Sequence, residues 1–133
     1  VRAARGSRSA VIVDLDYDGD LDIVTNEFNA APMVLMSDLA EQRSINYLNV
    51  KLTGTTSNRS GVGALVTLTA GGRTYVKLHD GKSGYLSQSL YPLYFGLGDR
   101  DTVDQVQVHW PSGNTQTVAG PISANTLLEI TEE

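Results

Sequence analysis

Between residues 14 and 22 the chain sets an aspartate at every second position: Asp14-Leu15-Asp16-Tyr17-Asp18-Gly19-Asp20-Leu21-Asp22. Five carboxylates this close repel one another unless a cation lies among them. The stretch is therefore expected to be a loop wrapped around a hard metal ion, with calcium as the natural guest for an all-oxygen shell. Asp14, Asp16 and Asp18 offer side-chain oxygens at positions 1, 3 and 5 of a DxDxDGxxD pattern. Gly19 allows the sharp turn, Asp20 can present its backbone carbonyl, and Asp22 closes the shell. The bland alternative is an acidic β-turn that holds no specific ion.

The first half of this loop matches the helix-loop-helix calcium motif, but that motif requires a bidentate Glu at position 12, where Thr25 stands. The flanks are also wrong for helices. Ala10-Val11-Ile12-Val13 and Ile23-Val24-Thr25 are β-branched runs of strand type, so the loop is expected to join two strands.

At 133 residues, with 41% hydrophobic residues, the chain is long enough to bury a core. Its formal charge is −5, and the loop alone holds five of the 15 acids, leaving ten against ten Lys and Arg elsewhere. A chain that is neutral outside one loop lacks the basic face that nucleic acid requires, and it lacks a polybasic membrane contact. There is no cysteine, which excludes disulfides, thiolate catalysis and thiolate metal sites. That absence favours a bacterial exported protein over a small animal secreted domain. No apolar run reaches membrane-spanning length, so no membrane insertion is expected; if the chain is exported, its signal lies upstream or has been removed.

Val1 to Ser9, with Arg2, Arg5 and Arg8, is expected to be a frayed lead-in. Met33-Val34-Leu35-Met36 is a third short strand, and residues 37–46 form a linker with room for one helical turn. From Tyr47 the texture is consistently β. Leu48, Val50 and Leu52 alternate with polar residues, Gly71-Gly72 and Asp80-Gly81 mark turns, and further runs cover 65–69, 74–78, 93–97, 103–110, 115–118 and 126–131. Turns at these intervals suit an all-β sandwich or barrel.

These residues carry a resemblance. Val11 to Asp22 is similar to the FG-GAP or VCBS repeat, whose calcium loop lies between two strands of a β-propeller blade. Residues 47–132 resemble the ASPIC/UnbV domain through Asn46-Tyr47-Leu48-Asn49-Val50-Lys51-Leu52, Ser57-Asn58-Arg59-Ser60-Gly61-Val62-Gly63-Ala64, Gly84-Tyr85-Leu86-Ser87-Gln88, Tyr94-Phe95-Gly96-Leu97-Gly98 and Trp110-Pro111-Ser112-Gly113. The resemblance implies a partial blade over 1–38, a linker over 39–46 and a β-domain over 47–133. Propellers need about four or more blades, so the chain reads as the C-terminal piece of a longer protein. An unpaired blade edge would then be a place for dimerisation.

Asn58 and Arg59 form a candidate surface pair, although the loop to Gly63 reads first as a structural turn. Tyr85 is expected to pack at the start of a strand. Trp110, ending a strand, is either buried packing or, with Tyr85, Tyr91 and Tyr94, an exposed platform for a glycan. His79 and His109 lack a repeated ligand spacing and read as strand residues. Gly81-Lys82-Ser83 is not a phosphate-binding loop, because Val76 occupies the place of its first Gly and no helix follows. Asn58-Arg59-Ser60 is formally a glycosylation acceptor, and no use of it is expected in a bacterial chain.

No catalytic constellation is assembled. The expectation is a non-enzymatic, extracytoplasmic module, secreted, periplasmic or at the cell surface, whose calcium is structural and whose β-domain meets a protein or glycan. A carbohydrate-binding module is one alternative. The other is an accessory part of a biosynthetic enzyme, implied only by the family's name.

Overall fold

Strand-forming runs separated by glycine turns dominate the chain, and the computed structural model, which describes residues 6–133, resolves them into ten strands. Arg2 and Arg5 of the basic lead-in lie outside the described residues. The strands are β1 (Ser7–Val13), β2 (Asp22–Glu27), β3 (Met33–Leu35), β4 (Tyr47–Thr53), β5 (Leu65–Ala70), β6 (Arg73–Leu78), β7 (Leu93–Gly96), β8 (Thr102–His109), β9 (Thr115–Ser123) and β10 (Thr126–Thr131). Among the described residues the only helix is α1 (Leu39–Gln42), a single turn, and no helix is long and apolar enough to cross a membrane. The fold is all-β. The lead-in is shorter than expected, since Ser7 and Ser9 already pair with Glu27 and Asn26 of β2.

The chain forms two compact units. The first runs through Ser44 and includes Gly81–Leu90; the second comprises Ile45–Asp80 and Tyr91–Glu133. In the first unit, β1, β2 and β3 make an antiparallel sheet in that order. Register sets Val11, Val24 and Val34 in one row across the sheet and Ile12, Ile23 and Leu35 in the next. Neighbouring positions along a strand point to opposite faces, so both faces of this sheet are apolar. Ile12 is 61% exposed and Val34 55%.

Residues 81–90 fold back as a small hairpin of this unit. Ser89 N–H donates to the Gly81 carbonyl at 3.0 Å, and the Ser83 and Ser87 hydroxyls lie 2.7 Å apart. Gly84 forms an isolated bridge with Ser9 on the free side of β1. Its φ of +119° and the 3.3 Å from an added Cβ to the Ala10 nitrogen explain why a glycine stands there. This hairpin presents Tyr85 outward, 61% exposed, contrary to the packing expected of it.

The second unit is a sandwich of two sheets, ordered β10-β4-β7 and β6-β5-β8-β9. In the first sheet β4 pairs antiparallel with β7 and parallel with β10. The alternation read from sequence in β4 holds: Leu48, Val50 and Leu52 are buried and meet Val66, Leu68, Val106 and Val108 of the other sheet in one core. Each such fully buried side chain contributes roughly 1.5–3 kcal/mol. In β8 the alternation breaks between Val103 and Val106, both buried. A register shift there, where two steps along β8 from Val103 to Gln105 face three along β9 from Ile122 to Ala119, returns Val106 and Val108 to the core face.

Candidate metal centre

The acidic loop connects β1 to β2 directly, so the hairpin fixes its two ends. Tyr17 (φ +64°) and Gly19 (φ +98°) both lie in the left-handed region and coil the chain between them. One carboxylate oxygen from each of Asp14, Asp16 and Asp18 lies within 4.8 Å of the others. Asp16 and Asp18 are exposed and Asp14 is half-buried. Asp14 Oδ2 accepts the Gly19 N–H at 3.1 Å, and Asp18 Oδ1 accepts the Asp20 N–H at 3.0 Å. Burial raises the Asp14 carboxyl above its ordinary value; the backbone donors of Tyr17 and Gly19 oppose this, and the charges of Asp18 and Asp16 add to it.

Asp20 and Asp22 stand differently. Both are 1% exposed. Asp22 Oδ2 accepts the Leu15 N–H at 2.9 Å and its Oδ1 accepts the Ser37 N–H at 2.8 Å. Asp20 Oδ2 accepts the Ala40 N–H at 2.8 Å. These two carboxylates tie the loop to the segment around α1, and they are not among the three that converge. Asp14 Oδ1 and Asp20 Oδ1 are buried with no hydrogen-bond partner. A buried, unpaired carboxylate oxygen is costly, and a cation among Asp14, Asp16 and Asp18 would relieve that cost at Asp14. The donor set, three converging carboxylates one of which, Asp14, carries an orphaned oxygen, fits a metal ion.

The other residues singled out from sequence are scattered. Trp110 is 3% exposed, belongs to the sandwich core and donates its indole N–H to Gln116 Oε1 at 3.0 Å. It is core packing, and a glycan platform built on it is ruled out. Asn58 is a loop staple: its side chain accepts the Val62 N–H at 2.9 Å and donates to the Val62 carbonyl at 2.7 Å. Arg59 is exposed beside it, with its carbonyl accepting the Gly54 N–H at 3.0 Å. Gly61 and Gly63 both have positive φ, as that turn requires. His79 is 7% exposed just after β6, and its backbone exchanges hydrogen bonds with Gly63 and Ala64. His109 ends β8, with Nδ1 2.8 Å from Thr115 Oγ1.

Sequence reasoning missed Glu132. It is 3% exposed. Its Oε2 accepts the N–H groups of Thr55, Thr56 and Ser57 at 2.9, 2.9 and 2.6 Å, while Oε1 accepts the Ser57 and Ser112 hydroxyls at 2.7 and 2.6 Å. Burial alone would raise this carboxyl, but donation from Ser112, Ser57 and Thr55 outweighs it and holds the group at about 2. The one signal in the sequence was that β10 continues the buried alternation from Ile130 to position 132.

Residues 54–133, most of the sandwich, match the family described as ASPIC and UnbV. The chain belongs to the ASPIC and UnbV family. Within that domain Glu132, Ser57 and Ser112 form the hydrogen-bonded clasp just described, and Trp110 forms part of the core. Over a longer span the chain is similar to cartilage acidic protein 1: 34% identical to the Mus musculus protein across 90% of this chain and 19% of that one. The Xenopus tropicalis protein is 34% identical across 95% of this chain and 20% of its own length, and the Homo sapiens protein 32% across 90% and 18%. The chain thus spans about a fifth of these relatives. Their similarity extends upstream of the ASPIC and UnbV match, into the unit that carries the acidic loop.

Proposed function

We propose that this chain is a non-enzymatic extracellular interaction module in which calcium rigidifies the acidic loop of an FG-GAP/VCBS-type blade. The observation that carries the reading is the convergence of Asp14, Asp16 and Asp18 within 4.8 Å, with the buried Asp14 Oδ1 unpartnered. Asp14, Asp16 and Asp18 would hold the ion, and its chemistry there is charge neutralisation. Calcium is favoured over softer metals because the donors are all oxygen. Asp20 and Asp22 brace the loop through Ala40, Leu15 and Ser37.

The blade reading is supported by the sheet's two apolar faces. A sheet with one solvated face alternates apolar and polar residues. Here the Val11-Val24-Val34 row and the Ile12-Ile23-Leu35 row leave neither face polar. Such a sheet is suited to lying between two neighbours, as blades do around a propeller. The extracellular placement is supported by relatives named for cartilage. The β3 edge, three residues long with Val34 and Met36 exposed, is where a further strand or a second copy would add.

The reading is tested by calcium titration of the chain by calorimetry, with magnesium as control. Saturable calcium binding that disappears in Asp16→Asn/Asp18→Asn supports it; equal heats in the variant remove it.

A further inference from the structure

β6 is the edge of its sheet, and among the described residues it pairs on one side only, with β5. The turn before it decides which backbone groups that pairing uses. Gly71 and Gly72, both with positive φ, make a two-residue hairpin loop that closes on the pair Ala70 and Arg73. Such a closing pair is hydrogen-bonded, and in an antiparallel ladder bonded pairs alternate with unbonded ones. Arg73, Tyr75 and Lys77 therefore direct their N–H and C=O groups at β5. His79, next in that series, keeps to it by donating its N–H to the Ala64 carbonyl at 2.9 Å. Thr74, Val76 and Leu78 direct theirs outward, where among the described residues no hydrogen bond meets them. The opposite edge of the sheet, β9, is blunted by Pro121 and by its register shift against β8. β6 is six residues long and has neither.

Side chains give the two faces of this edge different chemistry. Thr74, Val76 and Leu78 stand on the outer face, with Val76 57% and Leu78 55% exposed. Arg73, Tyr75 and Lys77 stand on the core side, opposite Ala70, Leu68 and Val66. Lys77 Nζ lies 5.7 Å from the centroid of the Phe95 ring. Desolvation lowers its ammonium from the ordinary value, and no carboxylate offsets this. Arg100 reaches the same side, with Nη1 3.5 Å from the Tyr75 hydroxyl and Nε buried without a hydrogen-bond partner. In a chain of formal charge −5, none of Arg73, Lys77 and Arg100 stands in an ion pair among the described residues.

We propose that the free edge of β6 binds a partner protein by strand addition, taking an extended segment that alternates acidic and apolar residues. Outward N–H and C=O groups at every second position are complemented by the backbone of another strand. Side chains directly opposite in a ladder share a face. Residues of the segment beside Arg73 and Lys77 thus meet unpaired cations, which selects acids there. Those beside Val76 and Leu78 meet an aliphatic surface, which selects Val or Ile. The same cations disfavour a second copy paired antiparallel at this edge, because its own Arg73 and Lys77 would fall on the same face as these. All these residues belong to the second unit, and the assignment does not depend on calcium.

The test is fluorescence anisotropy with a labelled peptide, Thr-Glu-Val-Glu-Val-Glu-Thr, followed by amide hydrogen exchange of the complex read by NMR. Saturable binding is expected, with exchange slowed at the Thr74, Val76 and Leu78 amides, which exchange fast in the free chain. The Tyr75 and Lys77 amides, bonded to β5, should be protected in both states. A peptide with Lys in place of Glu, and one N-methylated at its valines, should not bind. Val76→Pro removes one outward donor without touching the ladder to β5 and should weaken the peptide about tenfold. Should that variant fail to fold, Arg73→Glu/Lys77→Glu keeps the edge and should reverse the preference toward the Lys peptide. The proposal is overturned if millimolar peptide does not bind, or if it binds with the three amides exchanging as in the free chain. Equal binding of the N-methylated peptide overturns it by reducing the contact to charge attraction, as does parental affinity in the folded variants. It is also overturned if sedimentation shows a dimer that protects these amides without peptide, which would make the edge a contact between copies of the chain.

Discussion

Glu132 Oε2 accepts the backbone N–H of Ser57 at 2.6 Å across 75 positions of sequence. Three consecutive N–H groups converge on that oxygen and two hydroxyls on the other, so the ionised carboxylate closes the loop at 55–57 and the turn at Ser112 onto the end of β10. Its folded value, about 2, is below the ordinary carboxylate value of 4.5. A lowered value means that the clasp contributes its full stability above about pH 4.5, and that this is lost as pH falls toward about 2. Thermal melts of the parent and Glu132→Gln should therefore differ most at pH 6–7, by several degrees, and converge as the pH approaches 2. A gap that is constant with pH would show that the charge of Glu132 does not matter.

Gly61 gives a test of close packing. Its φ is +66°, and a Cβ there would sit 2.8 Å from Leu52 Cβ and 3.3 Å from the Trp110 ring. Gly61→Ala combines left-handed strain with overpacking of the core, about 2–4 kcal/mol together. Gly72 also has positive φ (+74°) but nothing within 4 Å of an added Cβ, so Gly72→Ala should cost only the strain, about 1–2 kcal/mol. Urea unfolding followed by the fluorescence of Trp110, the single tryptophan, checks both. Equal losses would place the cost in backbone conformation alone.

Local alternation made most strands legible. Tyr47–Thr53 and Thr126–Thr131 are read to the residue, because burial alternates along all of the first and from Leu127 onward in the second, and turns bound each run. What sequence could not supply is pairing between distant segments. The parallel match of β10 to β4 joins residues nearly eighty positions apart, and no local signal encodes it. β9 runs on to Ser123, past the expected end at Val118, because Pro121 is tolerated on an edge strand. In the acidic loop the oxygen-rich pattern was plain, but the division of labour was not. Whether a buried aspartate faces an ion or a backbone N–H depends on Ser37 and Ala40, which lie well beyond the motif.

The loop's repulsion makes a prediction of opposite signs. Without metal, Asp16→Asn/Asp18→Asn removes two like charges near Asp14 and keeps an acceptor for the Asp20 N–H, so stability in chelator should be unchanged or slightly raised. With calcium at about a hundredfold over its dissociation constant, the parent should gain about 2.7 kcal/mol, several degrees in melting temperature, and the variant nothing. Melts in calcium, magnesium and chelator read all three states. A variant that loses stability in chelator would assign these carboxylates a structural role of their own.

Asp22 should behave otherwise, because both its oxygens are already engaged. An asparagine has one acceptor oxygen and would turn its amide N–H toward the other donor, leaving either the Leu15 or the Ser37 N–H unsatisfied in a site only 1% exposed. The cost is about 1–3 kcal/mol, and it should appear without any metal. Hydrogen exchange in chelator is the direct measurement: Asp22→Asn should speed exchange at Leu15 and Ser37, while Asp16→Asn, whose side chain is exposed, should leave both as in the parent. Exchange unaffected by Asp22→Asn in chelator, with calcium affinity lost, would instead make Asp22 a ligand that moves to the ion on binding.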